Sequence, residues 1–156
     1  MNDEILKEIE KLEELEKHEE IINIIENLQA EQLNTKIMEG LARAYANIQK
    51  YEKAIEILKS IEYEGKNGVD WNYTIGYSYY YSKDYKNSEK YFLRALELNE
   101  TDNDIKNALL NVYLELSAQT INESIENKDK AIEYALKSEK YIITNDDKIR
   151  VSSCLA

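Results

Sequence analysis

The residues of this chain that could do covalent or metal chemistry are few and far apart: one histidine, His18, and one cysteine, Cys154. A zinc site needs three or four nitrogen or sulfur ligands converging on one ion, and neither residue has a second such ligand near it. A nucleophilic thiol needs an activating base, and the only imidazole stands at the opposite end of the chain, where a packing role beside a turn is expected for it. Carboxylate pairs are plentiful, but they fall on exposed helix faces where abundance makes them uninformative. Gly65 and Gly68 suggest a phosphate-cradling loop, yet no Lys-Ser/Thr follows them. A left-handed residue ending a helix is the expected role. Asn72-Tyr73-Thr74, Asn99-Glu100-Thr101 and Asn122-Glu123-Ser124 fit the glycosylation pattern, which means little without a secretory signal. No catalytic residue, metal or cofactor is therefore expected, and the chain reads as a non-enzyme.

What remains is aromatic. Of thirteen tyrosines, seven fall between positions 73 and 91: Tyr73, Tyr77, Tyr79, Tyr80, Tyr81, Tyr85 and Tyr91. Tyrosine offers a large apolar area, a hydroxyl and few rotors to immobilise, which suits a binding surface as well as a core. The stretch that holds them, 69–102, reads as two amphipathic helices joined by a polar turn. Ile75, Gly76 and Tyr79 share one face of the first helix, and Ser88, Phe92 and Ala95 one face of the second. Small Gly76 and Ser88 let the helices approach closely, with Tyr79 and Phe92 filling the space beside them.

The spacing I-G-x-x-Y, eight residues, S-x-x-x-F-x-x-A resembles the tetratricopeptide repeat (TPR). The preceding unit, 35–68, runs in phase with it, since Ala42 to Gly76 and Ala54 to Ser88 are both 34 residues. Its signature places hold Met38, Leu41, Ala42 and Tyr45, then Ala54, Leu58 and Ile61. Trp71 is one place off the family's usual tryptophan, which predicts that it packs toward the preceding repeat. Proline is missing from the end of the unit, where Glu100 stands.

A degenerate first repeat occupies 2–34, with Ile5, Leu6, Ile9, Leu12 and Leu15 on the buried side of its first helix and Ile21, Ile22, Ile24, Ile25 and Leu28 on its second. His18 aligns with Tyr85, and Ile9 and Ile21 replace the small pair. The fourth unit, 103–144, carries Ala108, Leu109, Leu110 and Tyr113, then Ala131, Ala135 and Ser138. About nine residues are inserted there. The i, i+4 series Tyr113, Ser117, Ile121, Ile125 predicts that they lengthen the first helix and move the turn to Asn127 and Lys128; a loop over 119–127 is the alternative. A partial fifth helix is expected over 146–156, with Asn145 or Asp146 as N-cap and Leu155-Ala156 starting an apolar-small pair.

The resemblance implies an all-α fold, a right-handed superhelix of antiparallel helix hairpins with about four repeats plus a partial C-terminal helix, making 1–156 a single array. It also implies a concave groove, lined by the first helix of each pair, that binds a peptide or a partner helix. Carried over position by position, the groove places fall on Lys36, Glu39, Arg43, Ala46 and Asn47, on Asp70, Tyr73, Tyr77, Tyr80 and Tyr81, and on Asp104, Asn107, Asn111, Leu114 and Glu115. The peptide-binding candidates among them are Lys36, Glu39, Arg43, Asn47, Tyr73, Tyr77, Tyr80, Tyr81, Asn107 and Asn111, while Tyr79, Tyr85 and Tyr91 are expected to be scaffold. The carboxylate clamp by which some members hold acidic chaperone tails is absent: its places hold Glu39, Arg43, Thr74, Asp104 and Ala108, of which only Arg43 is basic.

Charge narrows the partner. The formal net charge is −11, and the first 35 residues contribute eight of those charges, with eleven acidic residues against three lysines. A phosphate-backbone partner would need clustered Lys and Arg, so a protein or peptide, neutral or basic, is expected, and no nucleic acid. No apolar run approaches the roughly 18 residues of a membrane span. The charged N-terminal segment is no secretory signal, and a single cysteine excludes an internal disulfide, so a cytoplasmic address is expected. Two further readings stay open: an oligomerisation element using Ile142, Ile143, Ile149 and Val151, and the N-terminal adaptor of a longer protein. The oligomeric state is not fixed by the sequence.

Overall fold

The computed structural model describes residues 2–156, Ile125 by its backbone alone. Among the described residues every regular element is helical. Helices α1 (Asn2–Glu14) and α2 (His18–Glu26) form a first hairpin, followed by a 3-10 turn (Ala30–Gln32). A second hairpin comprises α3 (Thr35–Asn47) and α4 (Tyr51–Ser60), with a one-turn helix α5 (Glu62–Gly65) after it. The third pairs α6 (Val69–Tyr81) with α7 (Tyr85–Leu98). In the fourth, α8 (Asn103–Glu123) and α9 (Lys128–Glu139) are joined through a 3-10 turn (Ile125–Asn127), and α10 (Asn145–Leu155) closes the array. The successive long helices pack on one another, α4 meeting α6 across the short α5, and α1, α3, α6 and α8 also touch one another in sequence, so the first helices line one face together.

The first three hairpins turn in the same way. Glu16, Gln49 and Lys83 adopt left-handed φ of 55°, 63° and 63°. The amide after each reaches back to a carbonyl in the last helical turn: Lys17 N to Leu12 O at 2.9 Å, Lys50 N to Tyr45 O at 2.9 Å, and Asp84 N to Tyr79 O at 3.0 Å. These bonds satisfy carbonyls that a helix end leaves without partners. The left-handed residues are thus Glu16, Gln49 and Lys83, and not Gly65 or Gly68, since neither glycine has positive φ. Gly65 serves close approach instead: a β-carbon there would lie 2.3 Å from Trp71 Cδ1. Trp71 is buried against the preceding repeat, its Nε1 donating to Leu58 O at 2.9 Å, and its ring also meets Tyr91 edge-on.

At the crossing of α6 and α7, Ser88 Oγ donates to Gly76 O at 2.8 Å, and a β-carbon on Gly76 would come within 3.0 Å of the Phe92 ring. Helix axes that close leave no room for a side chain at that point. The fourth hairpin crosses elsewhere. Ser117 Oγ donates to Ala131 O at 2.8 Å, and Ser117 stands seven residues, about two helical turns, beyond Leu110, which lies 34 residues after Gly76. The inserted residues do lengthen α8, so α9 docks two turns later than the repeat phase places it. No loop interrupts 119–123.

Two local expectations are corrected. Leu15 is exposed, because α1 ends at Glu14 before Leu15 can return to the buried stripe. The N-cap of α10 is Thr144, whose side chain accepts from Asp147 N at 3.1 Å while Asp147 Oδ2 accepts from Thr144 N at 2.9 Å. This reciprocal capping box satisfies two backbone donors at once. It also holds the Asp147 carboxyl below its ordinary range, through these hydrogen bonds and through Arg150.

Candidate functional site

Helix α6 positions the tyrosines by simple geometry. Tyr73, Tyr77, Tyr80 and Tyr81 stand at i, i+4, i+7 and i+8, one face of a helix, while Tyr79 faces the other way onto α7. Facing that row across the groove, Asp104, Ala108 and Asn111 of α8 repeat the i, i+4, i+7 spacing. The two rows enclose a cavity of about 180 Å³ lined by Tyr73, Tyr77, Tyr80, Tyr81, Phe92, Asp104, Ala108 and Asn111. A second cavity of about 270 Å³ opens toward α3 and is lined by Arg43, Ala46, Asn47, Tyr73, Thr74 and Tyr77. Tyr73 and Tyr77 belong to both. The cavities are neighbours in one groove that runs over α3, α6 and α8.

The rings form a continuous aromatic wall. Tyr73 to Tyr77 is 6.4 Å between centroids, Tyr77 to Tyr81 4.6 Å, and Tyr81 to Tyr80 5.2 Å with the rings at 84°. Tyr51, the first residue of α4, stacks on Tyr81 at 5.3 Å and 15°. Tyr85, the first residue of α7, leans on Tyr80 at 5.5 Å. Burial of the phenols raises the pKa of Tyr77, with neighbouring Tyr81 adding to it, and that of Tyr80, with Glu115 adding to it, each to about 12. Tyr73 is raised by burial and by the charges of Asp104 and Asp102. The wall is therefore uncharged at neutral pH and presents hydroxyls as donors and acceptors.

Of the ten candidates from sequence, seven line these cavities: Arg43, Asn47, Tyr73, Tyr77, Tyr80, Tyr81 and Asn111. Arg43 Nε donates to Glu13 Oε1 of α1 at 2.7 Å, which offsets its charge. Asn111 Oδ1 accepts from Arg150 Nη2 of α10 at 2.7 Å. The other three lie outside both cavities. Glu39 is buried, takes Lys36 Nζ at 2.9 Å, and has its carboxylate beside Gly68 at the start of α6, where the helix N-terminus favours negative charge. Lys36 is held by that pair and is otherwise open to water. Asn107 is exposed on the next turn of α8.

Three contributors were missed. Phe92, assigned to the scaffold, also walls the first cavity; Arg150 comes from the partial repeat; and Tyr51 comes from a second helix. The signal for Tyr51 was present, since Tyr51 and Tyr85 are 34 residues apart and hold the same place at the start of their helices. As for the remaining chemistry, Cys154 is a free thiol, and His18 is half-buried with Nδ1 lacking a hydrogen-bond partner. Among the described residues no group of three His, Cys, Asp or Glu side chains could hold a metal ion, and no helix is long and apolar enough to cross a membrane.

Comparison with known proteins bears on the fold. The family model of the tetratricopeptide repeat matches residues 69–102, the α6–α7 hairpin and its exit turn. Residues 69–102 are similar to a tetratricopeptide repeat, and the helical array has the architecture of a TPR solenoid. Solved structures share its fold over nearly its whole length. A MamA point mutant superposes with a TM-score of 0.66 at 14% identity, covering 99% of this chain and 83% of that one. A MamA structure, MSR-1 C2, gives 0.58 at 15% identity over 89% and 73%. TTC0263, a thermophilic TPR protein of Thermus thermophilus, gives 0.59 at 12% identity over 99% of both chains. At such identities the likeness concerns the TPR solenoid alone. No curated protein matches the sequence. A TPR fold implies a protein-interaction module, which fits a site built of rings, amides and unreactive charges.

Proposed function

We propose that this helical array is a non-catalytic interaction module that holds an extended peptide or a helix of its partner along the groove over α3, α6 and α8. The observation that carries this reading is the pair of adjoining cavities sharing Tyr73 and Tyr77. Half-buried aromatic rings beside polar groups supply the rigid apolar anchors on which interface energy concentrates. The acidic balance of the chain favours a neutral or basic partner through steering at low salt. The test is affinity capture with the intact chain against the double variant Tyr77→Ala, Tyr81→Ala, with Lys90→Glu on the opposite side as control. Partners held by the groove disappear with the double variant and persist with the control. Partners unchanged by the double variant would refute the assignment.

A second reading, self-association, has one observation behind it: Leu136, Ile143 and Ile149 near the C-terminal end are 50%, 41% and 64% exposed. Val151 is buried, however, and Ile142 half-buried, so the apolar surface is smaller than the sequence suggests. Light scattering over a concentration series separates the two readings.

A further inference from the structure

The cavity between α6 and α8 has the chemistry of a cation site. Two of its rings, Tyr80 and Tyr81, meet at 84°, and Tyr77 lies 4.6 Å from Tyr81, so that ring faces and edges bound the space from more than one direction. Aromatic faces are negative by their quadrupole and attract ammonium and guanidinium groups, most strongly when water is excluded. Opposite the rings stands Asp104, whose carboxylate makes no ion pair or side-chain hydrogen bond among the described residues. Asp102 acts on Tyr73 from one end of the wall and Glu115 on Tyr80 from the other. The cation whose charge reaches Tyr80, Arg150, stands at the edge of the cavity, paired with Asn111 Oδ1 at 2.7 Å and Asp147 Oδ1 at 3.6 Å and not with Asp104.

We infer that this cavity takes the ammonium head of a lysine side chain from the segment bound in the groove, with the tyrosine faces around its last methylenes and Asp104 as counter-ion. The inference rests on the groove reading above and adds to it the chemistry of one anchor. A volume of about 180 Å³ accommodates the end of such a side chain. A bound lysine replaces solvent at a carboxylate that has no protein partner. A neutral apolar side chain of equal length would leave that carboxylate half-desolvated and unpaired, so the pocket discriminates by charge.

The experiment uses the whole chain and two acetylated, amidated heptapeptides of Gly and Ser, one with a central lysine and one with norleucine in its place. Both are titrated to millimolar concentration while the tyrosine ring signals and the Asp104 amide are followed by NMR. The lysine peptide is expected to shift Tyr77, Tyr80, Tyr81 and Asp104 with an affinity at least about 5-fold above that of the norleucine peptide. Asp104→Asn, on the exposed first turn of α8, is expected to erase that preference with at most a small fall in melting temperature, since it also removes a negative charge from a helix N-terminus. Equal binding of the two peptides in the groove would overturn the lysine pocket and leave the groove reading standing. A preference for lysine that survives Asp104→Asn would overturn the counter-ion assignment. Absence of any shift at the groove tyrosines would overturn both readings.

Discussion

Helix α6 has two tyrosine faces, and they differ in everything but residue type. On the inner face Tyr79 stacks on Tyr91 with centroids 5.6 Å apart and rings within 1° of parallel, and Trp71 closes on Tyr91 at 5.7 Å and 72°. These residues are at most 9% exposed. On the outer face Tyr81 is 48% exposed, and Tyr73, Tyr77 and Tyr80 line a cavity. A helix with apolar side chains all round is normally buried on every side. Here the array covers one side and leaves the other as a groove, so apolar area at 73, 77 and 81 has no internal partner to bury it fully. The lesson is that position on the helix, and not the tyrosine itself, separates scaffold from surface.

The inner face should break first under mutation. Trp71→Ala removes a fully buried ring and its hydrogen bond to Leu58 O, which keeps only the Ile61 N–H, and opens a void beside Gly65. A loss of about 3–5 kcal/mol is expected from urea denaturation. Gly76→Ala tests the crossing on the same side. Alanine gains about 1 kcal/mol of helix propensity, but the Phe92 ring at 3.0–3.2 Å is 1% exposed and has little room to retreat. Overpacking of this kind costs roughly 1–3 kcal/mol, so a net loss of about 1 kcal/mol is expected. An increase in stability would show that the third hairpin is less tightly closed than its Ser88–Gly76 hydrogen bond indicates.

The repeats were legible where packing is strictly periodic. Gly76, Ser88, Ala42 and Ala54 announced the hairpins because only small residues fit where two helices cross, and a 34-residue recurrence of that constraint is hard to produce otherwise. Trp71 was placed against the preceding repeat for a similar reason. Legibility failed where a backbone conformation had no compositional mark. Gln49 and Lys83 are left-handed without being glycine, while Gly65 and Gly68, which look like turn residues, are needed for space and for a helix start. The groove was half legible. Its α6 row follows from spacing, but Arg150 and Tyr51 enter from other elements by tertiary packing, and Glu39 leaves because a local lysine and a helix N-terminus outcompete the solvent for its carboxylate.

Alkali reaches several of the phenols late. Tyr77 and Tyr80 on the groove side, and Tyr45 in the second repeat, have pKa values raised to about 12, the first two by burial and Tyr45 chiefly by its hydrogen bond to Glu26. The folded state thus holds these protons more tightly than the unfolded chain, which releases them near 10. Their contribution to stability is complete below about pH 10 and is lost as pH rises toward 12. Urea midpoints should be flat from about pH 8 to 9.5 and fall above that, with tyrosinate absorbance developing late. Tyr77→Phe should reduce the alkaline slope, since it deletes one of the raised groups while keeping the ring.

The smallest effect on stability is expected at Tyr81, and it sharpens the comparison most. Tyr81 is two residues from Tyr79 on the same helix, but half of it is already in water, and its packing partners Tyr51 and Tyr77 keep each other in contact without it, edge-on at 6.4 Å. Tyr81→Ala forfeits half-exposed ring contacts with Tyr51, Tyr77 and Tyr80, about 1 kcal/mol in all, whereas Tyr79→Ala opens a void against Tyr91 and should cost about 3 kcal/mol or more. Melting of the two variants side by side measures that ratio directly. If Tyr81→Ala destabilised the chain as much as Tyr79→Ala, the outer wall would be core in its own right, and its rings would have to be explained by folding and not by recognition. A small loss of stability combined with loss of partner capture places the two functions on opposite sides of one helix.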